Sequence, residues 1–158
     1  MTEYRDTGPY SARNSSKGAL IEETGRVFEG LRSGLSLEEA RGRALEGDLF
    51  IQRTRSTRAR IWDAIHYMYL SQPEWGLTDL QAAFEKGAHS REFISLLYLH
   101  YVLRDRLTYD FVTDILWNRW HDRRTVITRE DLLYLRDRAS ETQPQIGKWA
   151  ESTRLKLG

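Results

Sequence analysis

Apolar residues recur at helical spacing along most of the chain, with polar residues filling the positions between them. Leu20, Ile21, Thr24, Val27, Phe28 and Leu31 share one face of a helix predicted over 19–32, with Gly34 as its stop. Ser36-Leu-Glu-Glu39 has the form of a capping box: the Ser side chain accepts from the N3 amide, and the N3 Glu reaches back to the cap. It opens a second helix with Ala40, Ala44 and Leu45 inward, ended by Gly47. A link over 48–55 leads to Ser56 or Thr57 as the next N-cap. The third helix buries Ile61, Ile65 and Met68 and stops before Pro73.

The same signals continue downstream. Thr78 caps a short helix through Leu80, Ala83 and Phe84, closed by Gly87, and Ser90 caps the most apolar helix, which runs to Arg104. Thr108 opens another, with Phe111, Val112, Ile115, Leu116 and Trp120 inward, and Thr128 the next, carrying Leu132, Leu133 and Leu135. Pro144 breaks the pattern before a short helix with Ile146 and Trp149, and Ser152 is one more N-cap. No segment sustains period-two alternation, and Val126-Ile127 is the one place for a short β-bridge or wing. The expectation is an all-α fold, a compact bundle of seven to eight helices with helix-turn-helix-like elements. Residues 1–17 are expected as a flexible arm and 18–158 as one all-helical domain. A helix opening at Ser152 is marginal if it ends at Gly158, so the native chain is expected to continue.

Composition narrows the function classes. Hydrophobic residues at 40% and charged residues at 30% fit a globular chain rather than a disordered one. Cysteine is absent, which excludes disulfides, thiolate metal sites and a cysteine nucleophile. The N-terminus lacks the apolar stretch of a signal peptide. The longest uncharged run, Phe93–Leu103, has 11 residues, against about 20 needed to span a bilayer. A soluble cytoplasmic protein without membrane association is expected. There is no Gly-Lys-Ser/Thr phosphate loop, His-Glu-x-x-His or Gly-x-Ser-x-Gly motif. His66, His89, His100 and His121 show no ligand spacing, and His100, in the apolar helix, fits a core position. No enzyme activity, metal or cofactor is expected. The five tryptophans, Trp62, Trp75, Trp117, Trp120 and Trp149, mostly fall on or beside predicted inner faces.

The cations change the picture. There are 20 arginines and four lysines, yet the formal net charge is only +1, so any nucleic-acid surface must be a local patch. Arg53, Arg55, Arg58 and Arg60 lie in an eight-residue run without an acid, beside Ser56 and Thr57 at a predicted helix start. Hydroxyls and unpaired N–H groups at a positively polarised terminus suit phosphate. Ser-Thr-Arg returns as Ser152, Thr153 and Arg154, with Lys148 and Lys156 nearby. A short helix precedes each element, the layout of a helix-turn-helix, although the first link is longer than that motif's tight turn. A solvated helix start would account for either element alone; their recurrence favours nucleic acid, duplex DNA above all. On this reading Arg53, Arg55, Arg58 and Arg60 meet phosphates, with Ser56 and Thr57 adding cap contacts. Lys148, Ser152, Thr153, Arg154 and Lys156 make a second contact, and Arg13 and Lys17 reach a neighbouring groove. The alternative is a protein–protein adaptor, whose arginine run docks on an acidic partner and whose stripe around Phe93, Tyr98 and Tyr101 adds a second interface.

Five motifs stand in order: Tyr10-Ser-Ala-Arg13, Gly18-Ala-Leu-Ile-Glu-Glu-Thr24, Gly34-Leu-Ser-Leu-Glu-Glu-Ala-Arg41, the Arg/Ser/Thr run at 53–60, and Trp149-Ala-Glu-Ser-Thr-Arg154. In this the chain resembles the BrxA family of the BREX bacteriophage-exclusion systems, closely at both ends and weakly in the middle. The resemblance implies a small all-helical protein of NusB-like fold that acts beside other BREX components and binds DNA through helix-turn-helix-like elements. It also implies a chain running past Gly158, which would leave the second element incomplete here.

Overall fold

The capping box at Ser36 forms as the sequence predicts. In the computed structural model the Ser36 hydroxyl accepts from the Glu39 amide at 3.2 Å, and the Glu39 carboxylate accepts from the Ser36 amide at 2.8 Å. It starts helix α2, Leu37–Glu46, which follows α1, Ile21–Arg32. The structure describes residues 5–11, 19–71, 74–123 and 126–148. Contacts divide these into two compact units, one from Ala19–Tyr101 and the other from the described parts of Met1–Gly18 and Val102–Gly158.

The unit of residues 19–101 continues with α3, Arg55–Ile65, prolonged by a π-helical turn, His66–Leu70. Then come α4, Glu74–Phe84, and α5, Arg91–Arg104, within which the division falls. The predicted inward residues Ile61, Ile65 and Met68 are buried, and so are Trp62, Tyr69 and Leu70. Phe28, Phe84 and Phe93 form a triangle with ring centroids 5.1–5.8 Å apart, tilted or edge-on, the arrangement that aromatic quadrupoles favour. The Tyr69 hydroxyl donates to the Ala19 carbonyl at 2.7 Å, so its burial leaves no orphaned donor.

The unit containing residues 102–148 holds α6, residues 106–121, whose middle, Phe111–Leu116, is π-helical between Arg106–Asp110 and Trp117–His121. Helix α7, Arg129–Thr142, and a 3-10 turn, Pro144–Lys148, complete it. Among its described residues, Ile115, Leu135, Ala139 and Ile146 are the buried apolar ones. Polar clasps supplement them. The Asp110 carboxylate accepts from the Tyr10 hydroxyl and pairs with Arg5 at 3.5 Å and Arg106 at 3.7 Å. Arg106 also donates to the Gly8 carbonyl at 2.7 Å, and the Asp6 amide donates to the Leu103 carbonyl at 2.9 Å. Residues 5–11, within the segment expected as an arm, make these contacts. Burial, then the Asp110 carboxylate, push the Tyr10 phenol up to about 12. Arg119 grips Asp131, its Nε donating at 3.1 Å, while the Thr128 amide donates to the same carboxylate at 2.9 Å.

The described residues thus hold seven helices and no strand, an all-α fold as predicted. Several details differ. Helix α4 begins at Glu74, before Thr78, with Gly76 buried and Leu77 packed on the core in its first turn. Two predicted caps, Thr57 and Thr108, are N3 residues. The caps are Thr54 and Asp105, three residues upstream, whose side chains accept from the Thr57 and Thr108 amides. Trp120 is 77% exposed rather than inward, and Trp117 is 62% exposed. The π-helical stretch before them has i→i+5 bonding, which shifts the phase of every later position from the 3.6-residue period. Val126 and Ile127 are exposed and form no strand. Among the described residues no helix is long and apolar enough to cross a membrane.

Candidate nucleic-acid interface

The basic run belongs to the junction of α2 and α3. Helix α2 ends at Gly47, whose φ of 104° is the left-handed conformation that glycine adopts without strain, and the Gly47 and Asp48 amides both donate to the Arg43 carbonyl. The link over 47–54 is fastened along its length. Arg26 donates to the Leu49 carbonyl at 3.3 Å, Phe50 is buried, and the Gln52 side-chain Nε2 donates to the Glu23 carboxylate at 2.9 Å. Thr54 then caps α3, its hydroxyl oxygen accepting from the Thr57 amide at 3.2 Å.

The arginines divide into two kinds. Arg53, Arg55 and Arg60 are exposed, around a first turn of α3 that contains no acid. Arg58 is half-buried and turned back onto the link. Its Nε donates to the Leu45 carbonyl at 2.8 Å, and its Nη1 donates to the Gln52 and Arg53 carbonyls at 2.8 and 3.0 Å. Ser56 and Thr57 are exposed in the first turn, where the Thr54 hydroxyl donates to the Thr57 hydroxyl at 2.8 Å. The junction therefore exposes Arg53, Arg55, Ser56 and Thr57 at the start of α3, with Arg60 exposed in the turn that follows.

Of the second element, Lys148 is exposed at the end of the 3-10 turn. Ser152, Thr153, Arg154, Lys156, Arg13 and Lys17 lie outside the described residues, as does Trp149. The stripe proposed around Phe93, Tyr98 and Tyr101 is not one surface. Phe93 is core, on the same face of α5 as Leu97 and His100, whereas Tyr98 is exposed and Tyr101 half-buried. Burial pushes the His100 imidazole below its ordinary range, opposed by Asp79. Among the described residues no group of three His, Asp or Glu side chains is placed to hold a metal ion.

Sequence reasoning missed Thr54, Phe50 and the inward turn of Arg58. Thr54 was legible, since a threonine three residues before Thr57 is itself a cap signal. Phe50 had no periodic neighbours to mark it, and the path of Arg58 depends on carbonyls that only the folded link brings together.

The family model for BrxA matches residues 8–158, nearly the whole chain. No curated protein matches it.

Proposed function

The chain belongs to the BrxA family, a component of BREX phage-defence systems, and we propose that it is a non-enzymatic, DNA-binding accessory protein of such a system. One observation carries this reading: Arg53, Arg55 and Arg60 are exposed around the Thr54-capped start of α3, whose first turn contains no acid. Helix α2, the fastened link and α3 act as a helix-turn-helix-like element. Arginine forks and first-turn hydroxyls meet phosphate oxygens there, where the helix dipole favours negative charge. Duplex DNA is the substrate, and other BREX components work beside the protein. Phosphate contacts position such a protein without reading sequence.

The test is a gel-shift titration with random duplex DNA across salt concentrations. Three neutralised phosphates give a slope of log K against log salt of about −2.7, and Arg53→Ala/Arg55→Ala brings it about 1.8 closer to zero. Binding that ignores salt, or a double variant indistinguishable from the parent, would sink the reading. A protein–protein adaptor is the second reading, and the exposure of Trp117 and Trp120 favours it. Exposed tryptophans suit protein interfaces, and a flat salt response would transfer the weight to this reading.

A further inference from the structure

Arg58 sits in the middle of the basic run, yet its guanidinium is directed at the protein's own backbone. We infer that Arg58 is a positioning residue: it locks the link between α2 and α3 so that Arg53 and Arg55 are presented to DNA, and it does not itself meet phosphate. This role rests on the DNA-binding reading above.

Three observations carry it. First, the guanidinium fork spans carbonyls from both sides of the link: Leu45 in the last turn of α2, and Gln52 and Arg53 just before α3. The Leu45 carbonyl is among the last four of α2, which have no helical donor, and a cation is favoured at that negative helix end. Second, Arg58 packs against Gly47, where an added Cβ would lie 3.4 Å from its Cζ and Nη1. That is ordinary contact distance, so the guanidinium lies packed against this turn, and it is the positive φ of Gly47 that calls for glycine there. Third, the Arg53 carbonyl it holds belongs to one of the residues offered to DNA, and that of Gln52 to its neighbour. An eight-residue link, too long for the tight turn of a helix-turn-helix, is thereby held in one conformation. Lysine cannot replace this arrangement. Two different nitrogens of a planar fork make the bonds, whereas an ammonium is a single point charge.

The experiment compares Arg58→Lys, Arg58→Gln and Arg53→Ala/Arg55→Ala, alone and combined with Arg58→Lys, in DNA titrations run well below each melting temperature. The expected result is that Arg58→Lys, despite keeping its charge, loses affinity as Arg58→Gln does, by about tenfold or more. Removing Arg53 and Arg55 should then cost less in the Arg58→Lys background than in the parent, the non-additivity of residues acting through one another. Without DNA, hydrogen exchange across residues 47–54 should accelerate in both Arg58 variants. A near-parental Arg58→Lys beside a weakened Arg58→Gln would make Arg58 a phosphate contact and overturn the inference. So would additive losses, or a lowered melting temperature with affinity intact, which marks a merely structural arginine. Parent protein that binds no DNA fails the functional reading itself, and the role given to Arg58 falls with it. The two failures differ in whether the parent binds.

Discussion

The two units are held together by different physics. The unit of residues 19–101 is built on contiguous apolar burial: the Phe28–Phe84–Phe93 triangle and the buried faces of α1 to α5, with Thr24 and His100 as its buried polar residues. Among its described residues the other unit buries Ile115, Leu135, Ala139 and Ile146 as apolar residues and adds carboxylate clasps, Asp110 holding Tyr10, Arg5 and Arg106, and Asp131 holding Arg119 and Thr128. Apolar packing is non-directional and spread over many contacts, whereas a charge-assisted clasp concentrates on one atom pair. The first unit should therefore fail through cavities and the second through loss of single carboxylates.

The largest effect should come from Phe93→Ala. It removes one corner of the aromatic triangle, and a buried Phe→Ala change costs about 3–5 kcal/mol. Thermal unfolding followed by circular dichroism should show a matching drop in melting temperature. A loss under about 1 kcal/mol would mean that the triangle collapses freely around the gap.

A smaller, local effect is expected for Asp110→Ala. Hydrogen bonds to charged groups contribute about 1.5–3 kcal/mol, and this change removes the acceptor that holds Tyr10, Arg5 and Arg106. Hydrogen exchange should quicken in residues 5–11 and change little in α1 to α4. If α1 to α4 respond as strongly, the contrast between the units is wrong.

The smallest effects are those of pH, and they fall in two windows. His100 has a folded pKa below its ordinary 6.5, so the unfolded chain takes up the proton first. Stability is lost as pH falls through 6.5 and stops falling below the folded value, and His100→Gln should flatten that region. Asp131 is held low by the Thr128 amide and by Arg119, so its contribution is present above the ordinary carboxylate range and lost as pH falls through the folded value. Asp131→Asn should flatten that more acidic window and leave the His100 window unchanged. Residue-resolved amide signals during pH titration separate the two, and a single shared window would refute the assignment.

Much of the helix pattern was written locally. Ser36 and Glu39 found each other because a capping box needs only four consecutive residues, and Ser90 capped α5 for the same reason, accepting from the Phe93 amide at 3.2 Å. Inner faces such as Val27 with Phe28, and Ile61 with Ile65 and Met68, followed from 3.6-residue spacing alone. The candidate site was half legible. An acid-free arginine run at a helix start can be seen in sequence, because local charge does not require a fold.

What tertiary structure alone decided lies where the chain departs from local rules. The π-helical middle of α6 carried Trp117 and Trp120 out to solvent, a phase shift that no 3.6-residue count anticipates. The N-terminal residues 5–11 found partners about a hundred positions away, at Leu103, Arg106 and Asp110. Arg58 looks equivalent in sequence to Arg53, Arg55 and Arg60, and only the folded link distinguishes it. Carbonyls of Leu45, Gln52 and Arg53 converge there, and unsatisfied backbone acceptors inside a half-buried junction take the nearest fork of donors.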